Sequence, residues 1–320
     1  MNTNPLGSQP ANTQVSGWVL IQAFSICTSV KNDPYIKWEG LDVNSIKVNG
    51  TYFSSDKTVP LPKVEQNKVY HVSGPVGVNK QGLLSIWASE FFKVEDLEAV
   101  KEFESHCYPS VPQEELTKYI EELREFSNSF SDSNLNTLSG YLFNYFEYYL
   151  PYTPAGKRVH EPIRGGLAKH TWEVVKACDA VRSVKKGLQK DVLLFSALYH
   201  DVGKTQEYTD KLMYSPNGRL ISHTSIAIQL ITKFIVQNNI TLDPELFRQI
   251  KHCFLSHHGE YSEIRPATKE AIILYFCDDM LSKVGHIEEV VRSGGIGEDG
   301  FGRYSNILNQ SPYVPELKTV

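Results

Sequence analysis

The chain has 320 residues, 41% of them apolar, and a formal charge of −5; it is too long for one small domain and too apolar for a disordered chain, so two compact units are expected. No apolar run reaches membrane-spanning length, and the slight acidity gives no global attraction for nucleic acid, so a polyanionic partner needs a local basic patch or bound cations. Cys27, Cys107, Cys178, Cys253 and Cys277 are odd in number, widely spaced and never in a C-x-x-C pair, which predicts reduced core thiols in a soluble, cytoplasmic protein and excludes a disulfide framework or zinc knuckle.

Residues 1–13 are polar, with neither a basic n-region nor an apolar h-region, and read as a disordered tail, not a signal peptide. Residues 14–95 read as a small β domain: GWVLIQAFSI, SIKVNGTYF and VYHVSGPVGVNKQGLLSIWA are short β-like runs punctuated by Pro and Gly, and Asn49-Gly50 has the composition of a type I′ hairpin turn. Roughly five strands fit a small barrel, and V-x-x-V-S-G-x-V followed by G-L-L-S-I resembles the closing strands of OB-folds.

Residues 96–134 read as a helical connector, with VEDLEAVKEFESH and QEELTKYIEELREFSNSF at helical spacing around a break at Pro109 and Pro112. Its acidic face is a solvated surface that would repel a nucleic-acid backbone. From 135 to 292 helical periodicity runs almost unbroken, with Gly, Pro and Asn at the ends and no return of β-like alternation. The fold class is therefore α+β multidomain, an OB-like barrel followed by an all-α domain. Residues 293–320 are Gly-rich and unperiodic; their glycines do not lie between a strand and a helix, so they read as a C-terminal tail and not as a phosphate loop.

Six of the ten histidines fall between His170 and His258. His170 shares a helix face with Leu167, Val174, Cys178 and Val181, and His200 shares one with Leu193, Ala197 and Lys204, so both turn inward. Adjacent His200 and Asp201 can address one ion while the second oxygen of Asp201 reaches another. His223 opens a helix beside a capping Ser222, His257 and His258 end one at Gly259, and Asp278 lies on the Ala271, Leu274, Tyr275 face of the last long helix. Taken singly, each inward histidine reads as a hydrogen-bonded core residue. Five helices aiming imidazoles and carboxylates at one point would be costly to bury without a cation, and such borderline ligands suit manganese, iron, zinc and related ions at a dinuclear hydrolytic site.

The motif H-D-V-G-K at 200–204, with G-G-L-A-K-H-T upstream and S-H-T-S-I, L-S-H-H-G and F-C-D-D downstream, resembles the HD-domain metal-dependent phosphohydrolases. With R-V-H-E-P-I-R-G-G-L before it and the OB-like unit, the order resembles the YhaM family of 3′-to-5′ exoribonucleases over most of the chain. The resemblance implies an HD domain over 135–292, with His170, His200, Asp201 and Asp278 around one ion. Asp201, His223 and either His257 or His258 would surround the other, and Lys204 would face the substrate phosphate. The sequence departs from the family at Leu281, where a second acidic residue usually follows the last ligand by three positions.

Two divalent ions about 3.5–4 Å apart can activate water and clamp both oxygens of an in-line displacement at phosphorus. Manganese is the first expectation, with Fe, Co, Ni, Zn or Mg as alternatives. Asp201 and Lys204 are the expected catalytic groups, Lys204 adding charge where equatorial oxygens gain it; the simpler role for Lys204 is a solvated helix-end cation. Arg158, His160, Arg164 and Lys169 are expected to form a phosphate-reading mouth or, more simply, a basic surface loop. Trp18, Tyr35, Trp38, Tyr52 and Phe53 are expected either to stack bases or to fill the barrel core. The leading expectation is a metal-dependent 3′-to-5′ exoribonuclease acting on single-stranded RNA, with DNA or nucleotides as other partners, no membrane, and room for a homo-oligomer. The alternatives are a nucleotide phosphohydrolase or cyclic-nucleotide phosphodiesterase, and a non-catalytic metal or nucleotide sensor.

Overall fold

The computed structural model describes the chain except residues 1–4, 8, 55, 57, 80–83, 157–161, 210–211, 293–295, 298, 303 and 316–320. It divides into two compact units, Met1–Pro109 and Ser110–Val320.

The first unit contains β1 (Gln14–Thr28), β2 (Pro34–Leu41), β3 (Lys47–Tyr52), β4 (Val69–Val78), β5 (Leu84–Ala88), β6 (Glu90–Lys93) and helix α1 (Leu97–Cys107). The sheet order is β1-β2-β3-β5-β4-β6, and β1 pairs with β4 as well, which closes five strands into the Greek-key barrel of an OB fold. β1 serves two partners because it is long and bulged between Ile21 and Ala23: Gln14–Leu20 pairs with β4 and Leu20–Thr28 with β2. Val19, Ile21, Ile36, Trp38, Tyr70, Val72, Ile86 and Phe91 fill the barrel, and truncating a fully buried tryptophan such as Trp38 to alanine would cost roughly 3–5 kcal/mol.

Three expectations for this unit change. Asn49-Gly50 lies inside β3, opposite Glu39 and Trp38, and makes no turn; the Trp38 indole occupies the space a Cβ at Gly50 would need, so the glycine serves close approach. The turn is instead at residues 42–46, where the Asp42 carboxylate accepts the amides of Asn44 and Ile46 at 2.9 Å each and Ser45 takes φ 62°. Buried Asp42 also accepts the amides of Leu6 and Gly7 at 2.9 and 2.8 Å, and Leu6 enters the core. The described part of the expected disordered tail is thus tied to the barrel, because a buried carboxylate needs donors. Finally, α1 belongs to the barrel and not to a connector spanning 96–134: Phe103 packs edge-on against Trp18 at 5.7 Å, and the Cys107 thiol donates to the Asp42 carbonyl at 3.3 Å.

The second unit contains α2 (Gln113–Ser127), α3 (Ser133–Tyr149), α4 (Gly166–Val184), α5 (Lys190–Tyr199), the short α6 (Lys204–Glu207) and α7 (Pro216–Leu220), α8 (His223–Gln237), α9 (Pro244–Ser256), a 3-10 turn at Gly259–Tyr261, and α10 (Lys269–Arg292). Asp132, Ser222 and Asp243 cap α3, α8 and α9 by accepting backbone amides of the first turn. α5 is buried from Val192 to Tyr199, as an all-round apolar helix must be; α2, α4, α9 and α10 surround it. The expected tail partly returns to the unit: Ile296 bridges Gly302, Ser305 bridges Gln310, and the Ser305 hydroxyl is 2.8 Å from His286 Nε2. Among the described residues no helix is long and apolar enough to cross a membrane.

Candidate metal centre

The α5 helix runs out at His200 in helical conformation and passes through Asp201, Val202 and Gly203 into α6. Gly203 lets the first residue of α8 come close: a Cβ there would overlap the His223 carbonyl oxygen, so the motif glycine sets His223 beside Asp201. α4 brings His170 along its buried stripe of Leu167, Thr171, Val174 and Cys178. α9 ends at His257, followed by His258, and α10 supplies Asp278 next to buried Leu274 and Ala271.

These side chains meet in two groups. His170, His200 and Asp278 offer ligand atoms within 4.8 Å of one another, and so do His223, His257 and His258. Asp201 lies between the groups. Its Oδ2 is 3.7 Å from His170 Nε2 and 3.2 Å from His200 Nε2, while its Oδ1 is 3.5 Å from His223 Nε2 and 3.8 Å from His257 Nε2. His170 Nε2 is 2.9 Å from Asp278 Oδ1, and His223 Nε2 is 2.8 Å from His258 Nε2. The choice between His257 and His258 that the sequence leaves open becomes a pair, both rings turned into the same group.

Outer hydrogen bonds orient the rings. His200 Nδ1 meets the Ala197 carbonyl at 2.9 Å and His257 Nδ1 the Phe254 carbonyl at 2.8 Å; since a carbonyl only accepts, each Nδ1 donates and each Nε2 is left as the inward lone pair. His223 Nδ1 faces Glu207 Oε1 at 3.3 Å, the carboxylate partner that metal-ligating imidazoles commonly have. Glu207 was not singled out from the sequence; its position three residues beyond Lys204 carries no ligand signal of its own. His252, the remaining histidine of the run, stays outside the cluster and accepts the Ala267 amide at 2.9 Å.

Burial, helped by His258 and His200, keeps the His257 imidazole well below its ordinary pKa, and burial with His223 brings His258 down to about 4. Burial works to raise both carboxyls, but Lys204, then His200 and His223, hold Asp201 well below its usual range, and the His170 hydrogen bond does so for Asp278. These are the protonation states a cation site requires. His200 goes the other way: burial lowers it, yet adjacent Asp201 raises it overall.

The residues fit divalent cations. His200 Nε2, His257 Nε2 and Asp201 Oδ1 are buried without a hydrogen-bond partner, and leaving each so costs about 1–3 kcal/mol. All three face the two groups, and the set of nitrogen and carboxylate donors is of borderline softness.

The groups lie at the base of a cleft of about 820 Å³ whose walls include Tyr208, Tyr214, Tyr261, Tyr275, Asp279, Lys283 and Asn306. Lys204 lines it too and is nearly buried, its Nζ 2.6 Å from Asp201 Oδ2, which makes it a partner of the cluster and not the solvated helix-end cation of the simpler reading. Of the four residues expected at a basic mouth, the two described ones stay away from this cleft. Lys169 is held by Glu288 at 3.0 Å and Glu173 at 3.6 Å, and Arg164 pairs through its backbone with Ser110 and Val111; neither lines the cleft. Arg158 and His160 lie outside the described residues. Tyr208, Tyr214 and Tyr261 went unnoticed because they lie in short irregular segments with no periodic pattern to give them a face.

Among the barrel aromatics, Trp38 is wholly buried, Tyr52 stacks on Phe91 at 5.5 Å, and Trp18 is covered by Phe103. Tyr35 and Phe53 stack on each other at 4.6 Å with Phe53 46% exposed. Lys37 pairs with Thr51, and Thr51 with Trp87, which is 52% exposed; alternation puts Tyr35, Lys37, Phe53 and Trp87 on one outer face.

Residues 167–282 match the family model of the HD domain, a family generally of metal-dependent phosphohydrolases. The chain therefore carries an HD domain behind an OB-type barrel. Among solved structures it is similar to the second OB-fold domain of replication protein A from Methanococcus maripaludis, with 14% identity and a TM-score of 0.24 over 29% of this chain and 95% of that one. It is also similar to the SSB domain of a Synechococcus sp. protein, with 8% identity and a TM-score of 0.23 over 26% of this chain and 97% of that one. The barrel assignment itself rests on the strand order.

Proposed function

We propose that this protein is a metal-dependent 3′-to-5′ exoribonuclease that shortens single-stranded RNA, with manganese as the first choice of ion. The observation that carries the reading is Asp201, whose two oxygens face two separate ligand groups. His170, His200 and Asp278 would hold one divalent ion, His223, His257 and His258 the other, and Asp201 both. Such ions, when bound, supply Lewis acidity toward phosphoryl oxygens and lower the pKa of water.

The protein's own groups do the rest. His200 and His257 keep Nε2 free because their Nδ1 atoms are engaged elsewhere, and Glu207 on Nδ1 of His223 leaves that ring's Nε2 turned toward His258. Lys204 pairs with Asp201 and holds its ammonium group at the cleft base, where N–H donors meet the negative charge that a phosphodiester gains on its equatorial oxygens. The tyrosines of the cleft offer faces for an unpaired terminal base, and the outer face of the barrel with Tyr35, Phe53 and Trp87 offers a stacking surface for a single strand.

Purified protein with Mn²⁺ is to be incubated with 5′-labelled single-stranded RNA, nucleoside triphosphates and cyclic nucleotides. Stepwise shortening from the 3′ end supports the proposal. Turnover of nucleotides with the RNA left intact rejects it in favour of a nucleotide phosphohydrolase or phosphodiesterase, and binding without any turnover points to a sensor.

A further inference from the structure

Helix α10 is apolar on two opposite faces. Ala271, Leu274 and Cys277 pack into the core of the helical unit. On the other side Ile272, Phe276, Met280, Val284 and Val291 are 42%, 60%, 50%, 48% and 45% exposed, flanked by half-buried Ile287 and by Ile273, which also touches the core. A helix that is apolar all round is normally enclosed, as α5 is here. The outer stripe runs for about 28 Å at 1.5 Å per residue and amounts to roughly 500 Å², near the upper limit for the largest apolar patch of a monomer.

We infer that this stripe is a two-fold interface in which α10 packs antiparallel against α10 of a second copy of the chain. The spacing selects that occupant. Ile273, Phe276, Met280, Val284 and Ile287 are separated by three, four, four and three residues, a pattern that reads identically in both directions about Met280. An isologous contact demands this self-complementarity: Phe276 meets Val284, Ile273 meets Ile287, and Met280 meets its own copy on the axis. Charge selects the direction. Exposed Lys269 opens the helix and Glu288, which holds Lys169 and keeps 60% of its side chain exposed, stands near its end, so the antiparallel arrangement brings opposite charges toward each other and a parallel one would align like with like. Two such stripes bury about 1,000 Å² together, the lower bound for a specific interface.

Light scattering and sedimentation of the full chain at micromolar concentration test this. The expected mass is twice 36.2 kDa. Met280→Glu and Met280→Lys each place like charges on the axis and are expected to weaken association about a hundredfold, with the circular dichroism spectrum unchanged because the side chain is half exposed. Mixing the two variants restores a dimer. A monomeric wild type overturns the inference, as does a Met280→Glu dimer as tight as the wild type. Should a charged variant fail to fold, mild oxidation of Met280→Cys replaces it: a cross-linked species of doubled mass, absent from the wild type, supports the axis at Met280, and its absence overturns it.

Discussion

The carbonyl oxygen of His223 occupies the space that a side chain at Gly203 would need. The glycine of the H-D-V-G-K motif is therefore a contact residue between α6 and α8, and one methyl group there must push the His223 ring away from Asp201. Gly203→Ala is expected to cost about 1–3 kcal/mol through overpacking and to lower ion affinity as well; a variant with wild-type Tm and wild-type ion binding would show that the two helices yield freely.

Asp201→Asn keeps the shape of the side chain and removes the charge that both ligand groups share. Ion content by elemental analysis is expected to drop for both sites together, and hydrolysis by about a thousandfold or more, since several kcal/mol of charge stabilisation is lost. Retention of one ion at full occupancy would mean that Asp201 serves a single site.

Glu207→Gln tests orientation and not ligation. The carboxylate meets the outer nitrogen of His223, and loss of such a partner typically weakens metal binding 10–100-fold. Calorimetric titration with Mn²⁺ is expected to show that loss at one site and an unaltered second site, whereas equal weakening of both would assign Glu207 a purely structural part.

With no ion bound, burial and His223 bring His258 down to about 4 from an ordinary value of 6.5. Between these two pH values the unfolded chain binds a proton that the folded chain refuses, so stability falls as pH drops through the window. His257, also depressed, adds to the same slope. His200, raised by Asp201, has the opposite sign: its stabilising contribution is complete below 6.5 and is lost only as pH rises through the raised value. Urea unfolding in the presence of chelator should show a slope in this window that flattens in His258→Gln; superimposable slopes would remove His258 from the account.

On the barrel, Phe53→Ala and Trp87→Ala are each expected to weaken binding of single-stranded RNA by about 1–3 kcal/mol per lost stacking contact, measured by fluorescence anisotropy with the isolated effect on duplex RNA as control. Trp38→Ala is expected to unfold the barrel instead, because that ring is core.

The residues of the two groups were legible as candidates because each sits in a local pattern: His170 on an apolar helical stripe, His200 and Asp201 at a helix end, His223 behind its Ser222 cap, His257 and His258 before Gly259. The barrel was legible in outline from alternation, but not its register, because Asn49-Gly50 carries a turn composition that the Trp38 ring overrides from another strand. Lys169 is drawn away from the expected basic mouth for a related reason. Nothing near Lys169 in the chain announces that Glu288, 119 residues away, will hold it.

Residue type and short-range spacing alone determined that this chain carries an OB-like unit and a helical unit rich in imidazole and carboxylate, since periodicity and motif are local properties. Only the tertiary structure decided that Asp201 stands between two ligand groups, that both His257 and His258 join one of them, that Glu207 backs His223, and that tyrosines form the cleft. Each of these is a contact between distant segments, made by packing helices around α5, and no local pattern encodes which side chains such packing brings together.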